Sequence, residues 1–280
     1  MIQTLQKVSA AASSGYRNGS YTTLNYCSSK RINPSAISVY RWLSADIDET
    51  PGRRLWTIPQ HAKQLSSGER YALYRIPHPK QDRVLKRSTC NHHHLSSFRS
   101  RLALLEQAGA RGLIARPLAV QETYSHQRLL RSTLLYEYVP GKPLSTFVDD
   151  QGRLSQPELI PGLARLVAAL EDCGLIMRDL SPDNIIVSED GDSRTLVAVD
   201  HESLCVNRSS SIYQPRALAR LRLAAQDLDS LRQHYNDHAK HNSISNPRMW
   251  CESKLLLPLR DKGQHPTLRR IRRRVYRFGR

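Results

Sequence analysis

The stretch that decides the fold runs Leu175-Ile176-Met177-Arg178-Asp179-Leu180-Ser181-Pro182-Asp183-Asn184-Ile185-Ile186-Val187, and Leu196-Val197-Ala198-Val199-Asp200-His201-Glu202 follows it closely. An Asp sits behind an Arg, an Asn lies five residues past that Asp, and a short apolar strand runs out of the Asn. The second segment is another apolar strand, and it ends on an Asp. Upstream, Leu159, Leu163, Leu166, Val167 and Leu170 recur with the period of a buried helix face over 154–173. Ser155, Pro157 and Glu158 supply its start signal and Gly174 its stop. The order is helix, polar loop, strand pair, carboxylate.

Phosphoryl transfer asks a protein for three such groups. One carboxylate orients the attacking hydroxyl, an amide oxygen holds a metal ion, and a second carboxylate holds the same metal cluster. The two segments resemble the R-D-x-x-x-x-N catalytic loop and the metal-binding Asp of the protein-kinase-like superfamily. The resemblance implies that Asp179 takes the acceptor's proton, that Asn184 and Asp200 bind magnesium, and that ATP is the phosphoryl donor. Two departures stand out. The His that commonly precedes the Arg-Asp pair is Met177, and the D-F-G tripeptide reads Asp200-His201-Glu202. The alternative for the whole constellation is a pseudokinase, a fold kept for binding only.

Ahead of this region, Trp56-Thr57-Ile58, the run 71–76 and Arg83-Val84-Leu85-Lys86 read as short strands, split by Pro77-His78-Pro79 and polar turns. Ser66-Ser67-Gly68-Glu69 falls where a kinase-like fold carries its phosphate-covering loop, and an ordinary hairpin turn explains its lone glycine equally well. Lys86 resembles the lysine of V-A-I-K, which pairs with the nucleotide's phosphates; an exposed strand lysine beside Arg87 is the plainer account. Phe98, Leu102 and Leu105 mark a helix over 95–110, capped by Ser96 or Ser97, whose acid Glu106 is a candidate partner for Lys86. His92-His93-His94 reads as a polar loop, because three consecutive residues cannot share one helix face as metal ligands do. The runs 113–120 and 129–139 read as the last strands of a small antiparallel sheet. Leu134-Leu135-Tyr136-Glu137-Tyr138-Val139-Pro140-Gly141 resembles a hinge between lobes, with adenine expected on main-chain groups near Glu137 and Val139.

Past Asp200, the apolar residues over 216–235 predict one helix. Its segment Ala224-Ala225-Gln226-Asp227-Leu228-Asp229-Ser230-Leu231 looks like the R-D-L-A-x-L helix of bacterial lipopolysaccharide core kinases, and that likeness implies main-chain support of the catalytic loop by Asp227. The expected fold is therefore α+β and two-lobed, protein-kinase-like, with a small antiparallel-sheet N-lobe over 55–139 and a compact, mainly helical C-lobe over 140–245. Residues 1–54 are expected to form a basic, poorly ordered leader with a short helix near 35–43. Residues 246–280 are expected to form a basic tail.

Composition narrows the partners without choosing one. Lys and Arg total 42 against 25 Asp and Glu, a net charge of +17, which attracts nucleic acid, an anionic membrane face or a phosphorylated substrate. Leu268, Ile271, Val275 and Phe278 form an apolar stripe among arginines, the pattern of a helix lying on an anionic surface; a nucleic-acid tail and a solvated tail are the rivals. The 5 cysteines lack a C-x-x-C pair, which speaks against a zinc ribbon and suits a reducing cytosol. No apolar run reaches membrane-spanning length. The expectation is a cytoplasmic enzyme at the periphery of the inner membrane, acting on an anionic glycolipid or sugar.

Overall fold

The computed structural model describes residues 20–26, 37–44, 58–67, 71–88, 97–125, 128–190, 193–206, 210–240, 243–256 and 258. Contacts divide the chain into two compact units: Met1–Gly109 with Ala115–Tyr138, and Ala110–Ile114 with Val139–Arg280.

Among the described residues the first unit is built on a seven-stranded antiparallel sheet. Its strands are β1 (Ser20–Tyr26), β2 (Ile37–Leu43), β3 (Lys63–Ser67), β4 (Tyr71–Ile76), β5 (Arg83–Ser88), β6 (Pro117–Ser125) and β7 (Arg128–Glu137), in spatial order β1-β2-β6-β7-β5-β4-β3. In the central strand β7, residues 132–136 are buried without alternation, as happens where both faces of a strand are covered. Leu43, Leu85, Leu118, Ala119 and Leu135 form one core cluster from four strands. Helix α1 (Leu102–Ala110) follows a 3-10 turn, Arg99–Arg101, and buries Leu102, Leu105 and Ala108.

Three expectations change here. The short helix near 35–43 is the strand β2: Tyr40 and Trp42 are buried while Val39 and Arg41, alternating with them, are only half-buried, so period two wins over helical spacing. The part of the chain taken as a leader thus contributes two paired strands. The first hairpin strand is β3, fully exposed at the sheet edge, while Ile58 lies outside it; Trp56 and Thr57 fall outside the described residues. The strand expected from 113 begins at Pro117, because Ile114 instead bridges Ala198 in the second unit.

The second unit holds β8 (Lys142–Pro143), β9 (Leu175–Met177), β10 (Ile185–Asp190), β11 (Ser193–Ala198) and β12 (Leu204–Val206), with helices α2 (Leu159–Asp172), α3 (Ser210–Ala219), α4 (Ala225–His238) and α5 (Asn246–Trp250). A single π-helical turn, Cys251–Leu256, follows α5. The strands form a β11-β10-β8 sheet and a β12-β9 pair. Helix α2 exists for the reason its sequence gives: Leu163, Leu166, Val167 and Leu170 make a buried stripe. Its one deeply buried acid, Glu171, accepts hydrogen bonds from Tyr235 Oη and from Gln214 Nε2 (3.3 Å), so α2, α3 and α4 share one polar tie. Burial, then the bond to Glu171, push the Tyr235 hydroxyl well above its ordinary range.

The single helix expected over 216–235 is two. Helix α3 ends at Ala219, Arg222 takes a left-handed φ of 54°, and Ala224 begins α4 in an extended conformation. Leu221 and Leu223 are both buried, and the Ala224 N–H donates to Gly152 O at 2.6 Å. Docking of this turn on the 149–154 loop overrides the continuous apolar pattern.

Gly141 fixes β8 to β10. Its φ is +139°, and a Cβ there would lie 2.3 Å from Val187 O and 2.9 Å from Ile186 Cγ2. Gly141→Ala is expected to cost about 3 kcal/mol, from left-handed strain together with overpacking. A urea midpoint equal to that of the wild type would show that β8 yields freely.

Candidate active site

In the second unit, strand β9 carries the chain into Arg178 and Asp179. The ladder with β12 extends one step past the strand, Arg178 N–H donating to Ser203 O at 2.8 Å. Leu180 is buried after the exposed Arg178 and Asp179, which turns the loop inward. Ser181 then caps a 3-10 turn over Pro182–Asn184, its Oγ accepting from Asp183 N and its carbonyl from Asn184 N (2.9 Å). The Asn184 side chain folds back, Nδ2 donating to Asp179 O at 3.0 Å. On the other side Val199 N–H donates to Asn184 O at 3.0 Å, continuing the β10–β11 ladder to the residue before Asp200. Asp200 O in turn accepts from Ser203 N (3.2 Å) and Ser203 Oγ (2.9 Å). These bonds bring the main chain at Asp179, Asn184 and Val199, the residue before Asp200, together.

The Asp179 side chain is half exposed, and Arg220 Nη1 donates to its Oδ1. Arg220 stands in the turn after α3, and its Nε is buried without a hydrogen-bond partner. Sequence reasoning missed it. An arginine in a basic chain carries no local sign of its partner, and the turn that aims it sits inside a run that reads as helix. Met177 and His201, the two departures from the motif, are both buried.

In the first unit Lys86 lies inside β5, between Leu73 of β4 and Leu134 of β7. It is buried, and its Nζ stands 5.1 Å from the centre of the Tyr71 ring. Strand β5 runs two residues past it, so Lys86 does not end the strand. Glu137 closes β7 opposite Arg83, with its N–H on Arg116 O (3.0 Å) and its carboxylate 3.3 Å from Arg116 Nε. The neighbouring Tyr138 N–H donates to Asp82 O at 2.8 Å, and Arg75 stacks 4.0 Å over the Tyr138 ring while its Nε donates to Asp82 Oδ2 at 2.7 Å. The Arg75 bond, helped by the His78 N–H, holds the Asp82 carboxyl below the usual carboxylate range. The His-Pro turn is thus a clamp on the end of β7. Val139 opens the second unit, and Gly68 lies outside the described residues.

No family model matches the chain. Over 61 residues it is 38% identical to Sperm motility kinase 1 and to the Sperm motility kinase Tcr mutant form, both of Mus musculus. That match takes in 21% of this chain and spans only 13% of the length of those relatives. Among solved structures, WaaP in complex with acyl carrier protein aligns with a TM-score of 0.50 and 16% identity, covering 71% of this chain and 86% of that one. The fold is protein-kinase-like. Aminoglycoside-3'-phosphotransferase of type VIII aligns with a TM-score of 0.44 and 15% identity over 69% of this chain and 92% of its own.

Two supports expected of a kinase-like fold are differently made. Asp227 Oδ2 accepts from Leu154 N at 2.8 Å, so it holds the loop ahead of α2 and not the catalytic loop. The first turn of α4 faces that loop because Ala224 is tied to Gly152. Among the described residues no ion pair joins Glu106 to Lys86; Glu106 is half-buried on α1, and desolvation raises its carboxyl. The deeply buried acid is Glu122 on β6. Its Oε1 accepts from Phe98 N (2.6 Å), and its Oε2 accepts from Ser97 Oγ (3.0 Å) and Tyr124 Oη (2.6 Å), pinning the entry to α1. Read as sequence, a Glu in a β-strand gives no hint of this.

Burial, reinforced by Glu122, pushes the Tyr124 hydroxyl from 10.0 up to about 12. The folded chain therefore keeps this proton at pH values where the unfolded chain has lost it. The associated stability is complete below the unfolded value of 10.0 and is lost as pH rises through about 12. The stability advantage of the wild type over Tyr124→Phe should shrink across that window in urea titrations; a pH-independent difference would count against the Glu122 bond.

Proposed function

We propose that this chain is an ATP- and magnesium-dependent phosphotransferase, and that its acceptor is a sugar hydroxyl of a lipopolysaccharide core. The observation that carries the reading is the hydrogen bonding that brings Asp179, Asn184 and Val199, the residue before Asp200, together at the loop. Nothing among the described residues donates to Asp179 Oδ2, which leaves one carboxylate oxygen for the acceptor's hydroxyl while Arg220 holds the other. From that position Asp179 takes the hydroxyl proton as the bond to phosphorus forms.

The donor set suits a hard cation. The Asn184 amide spends Nδ2 on Asp179 O, and among the described residues its Oδ1 accepts nothing, so an amide oxygen and the Asp200 carboxylate are the ligands offered. Among the described residues no three His, Cys, Asp or Glu side chains form a metal cage. Magnesium, when bound, neutralises charge on those phosphates. In this reading Lys86 anchors the nucleotide's phosphates as a point charge, Gly68 helps to bind them, and main-chain groups at Glu137 and Val139 take the adenine.

The sugar acceptor is supported by the likeness of the Ala224–Leu231 segment to lipopolysaccharide core kinases and by the net charge of +17, which favours an anionic glycolipid. No helix among the described residues is long and apolar enough to cross a membrane. We place the enzyme at the cytoplasmic face of the inner membrane, with the stripe 268–278 on anionic lipid and nucleic acid as the weaker alternative. One observation favours a second reading, a pseudokinase: the Arg220 guanidinium rests on the carboxylate that would serve as base.

Kinetics separate the two. Asp179→Ala should lower ATP-dependent turnover by about 10²-fold or more, and Asn184→Ala and Asp200→Ala should do the same and raise the magnesium requirement. Arg220→Ala should leave stability within about 1 kcal/mol, since the pair is part-exposed. Absence of turnover in the wild type, with ATP still raising the unfolding temperature, would establish a binding module. The core oligosaccharide of a deletion strain should lack one phosphate; an unchanged mass would remove lipopolysaccharide as the acceptor.

A further inference from the structure

We infer that a groove in the second unit, between the 149–154 loop and the turn that joins α3 to α4, binds a sugar carrying a phosphate or carboxylate. The cavity has a volume of about 610 Å³, and Arg153, Arg222, Lys254, Trp250, Leu228 and Met249 line it. Its single acid, Asp229, is already held by Arg232 (Nε 3.0 Å, Nη2 2.9 Å) and by Gln233 Nε2 (2.9 Å), so the groove presents net positive charge. Trp250 is 55% exposed, which leaves an indole face on the rim. Leu228 and Met249 are buried and give an apolar floor. Gln151 and Asn246 add amides within reach of ring hydroxyls. Cations for an anion, an aromatic face for a ring and amides for hydroxyls are the combination a charged sugar requires.

The groove is preformed. Asp149 Oδ1 accepts from Gln151 N and Arg153 N, both at 2.8 Å, and Asp227 Oδ2 accepts from Leu154 N at 2.8 Å. The loop so shaped is tied to the opposite wall through Ala224 N–H and Gly152 O. Gly152 is required there: its φ is +78°, and a Cβ would stand 2.4 Å from Arg222 O. Arg222 itself holds a left-handed φ of 54° in the groove wall, the sort of local strain that collects at binding sites. Charge also excludes the chain's own tail as occupant, since residues 268–280 carry seven arginines.

Ala219 and Arg222 line the groove, and Arg220 between them pairs with Asp179. A sugar seated in the groove therefore lies against the turn that touches the proposed base. We assign the groove to the charged end of the acceptor; that word rests on the phosphotransferase reading, whereas the binding does not.

Calorimetry on the full chain tests this with glucose 6-phosphate as probe and with glucose, inorganic phosphate and a single-stranded RNA oligomer as comparison arms. Glucose 6-phosphate should bind at least about tenfold more tightly than glucose or phosphate, and Arg153→Glu, Lys254→Glu and Trp250→Ala should each weaken it about tenfold or more. The shift in unfolding temperature on adding ATP should be unchanged in these variants, which also shows that they are folded. No heat with glucose 6-phosphate, equal affinity in the variants, equal binding of inorganic phosphate, or RNA binding alone would each overturn the inference. Absence of sugar binding by the wild-type chain, with its ATP binding intact, defeats the groove assignment only. Sugar binding without any ATP binding defeats the phosphotransferase reading and leaves the groove.

Discussion

The second unit depends on one interaction, the folding back of Asn184 onto the main chain of Asp179. A polar loop of this length has no ladder of its own, and it would sample many conformations unless its ends were fixed. Here Nδ2 of Asn184 closes the loop on one side and the Asn184 carbonyl joins the β10–β11 ladder on the other. A single residue therefore links Asp179, through its side-chain amide, to Val199 beside Asp200, through its carbonyl. Asn184 Oδ1 and Asp179 Oδ2 take no part in these bonds among the described residues.

Both units also bury an acid away from this cluster and hydrogen-bond it. Glu122 collects the entry to α1, and Glu171 collects α3 and α4 onto α2. A buried carboxylate is costly unless its oxygens are hydrogen-bonded, and once bonded it specifies one arrangement of the elements around it. These acids sit in elements whose apolar periodicity already explains their formation. Their contribution is to fix orientation.

Much of the kinase-like plan was legible because it is written in order and spacing. The α2 stripe, the Asp-to-Asn interval and the two apolar strands are local patterns, and local patterns survive folding. What could not be read were partnerships between distant residues. The 216–235 run looks like one helix, since nothing in it announces that Ala224 will bond to Gly152 or that Arg222 will turn left-handed. The partner of Asp227, the Leu154 N–H, is hidden from the sequence for the same reason. Ile37–Leu43 was misread because seven residues hold too few periods to separate a strand from a helix. The clamp of Arg75 and Asp82 on Tyr138 joins a turn to a residue more than fifty positions away, and no local pattern announces that contact.

Arg222 carries a consequence of its own. An L-residue other than glycine held left-handed costs roughly 1–2 kcal/mol. A residue more comfortable in that backbone would relax the turn, yet it would also take a guanidinium out of the groove. Thermal robustness and ligand affinity thus pull in opposite directions at one position. Selection for stability alone would be expected to erode recognition there first.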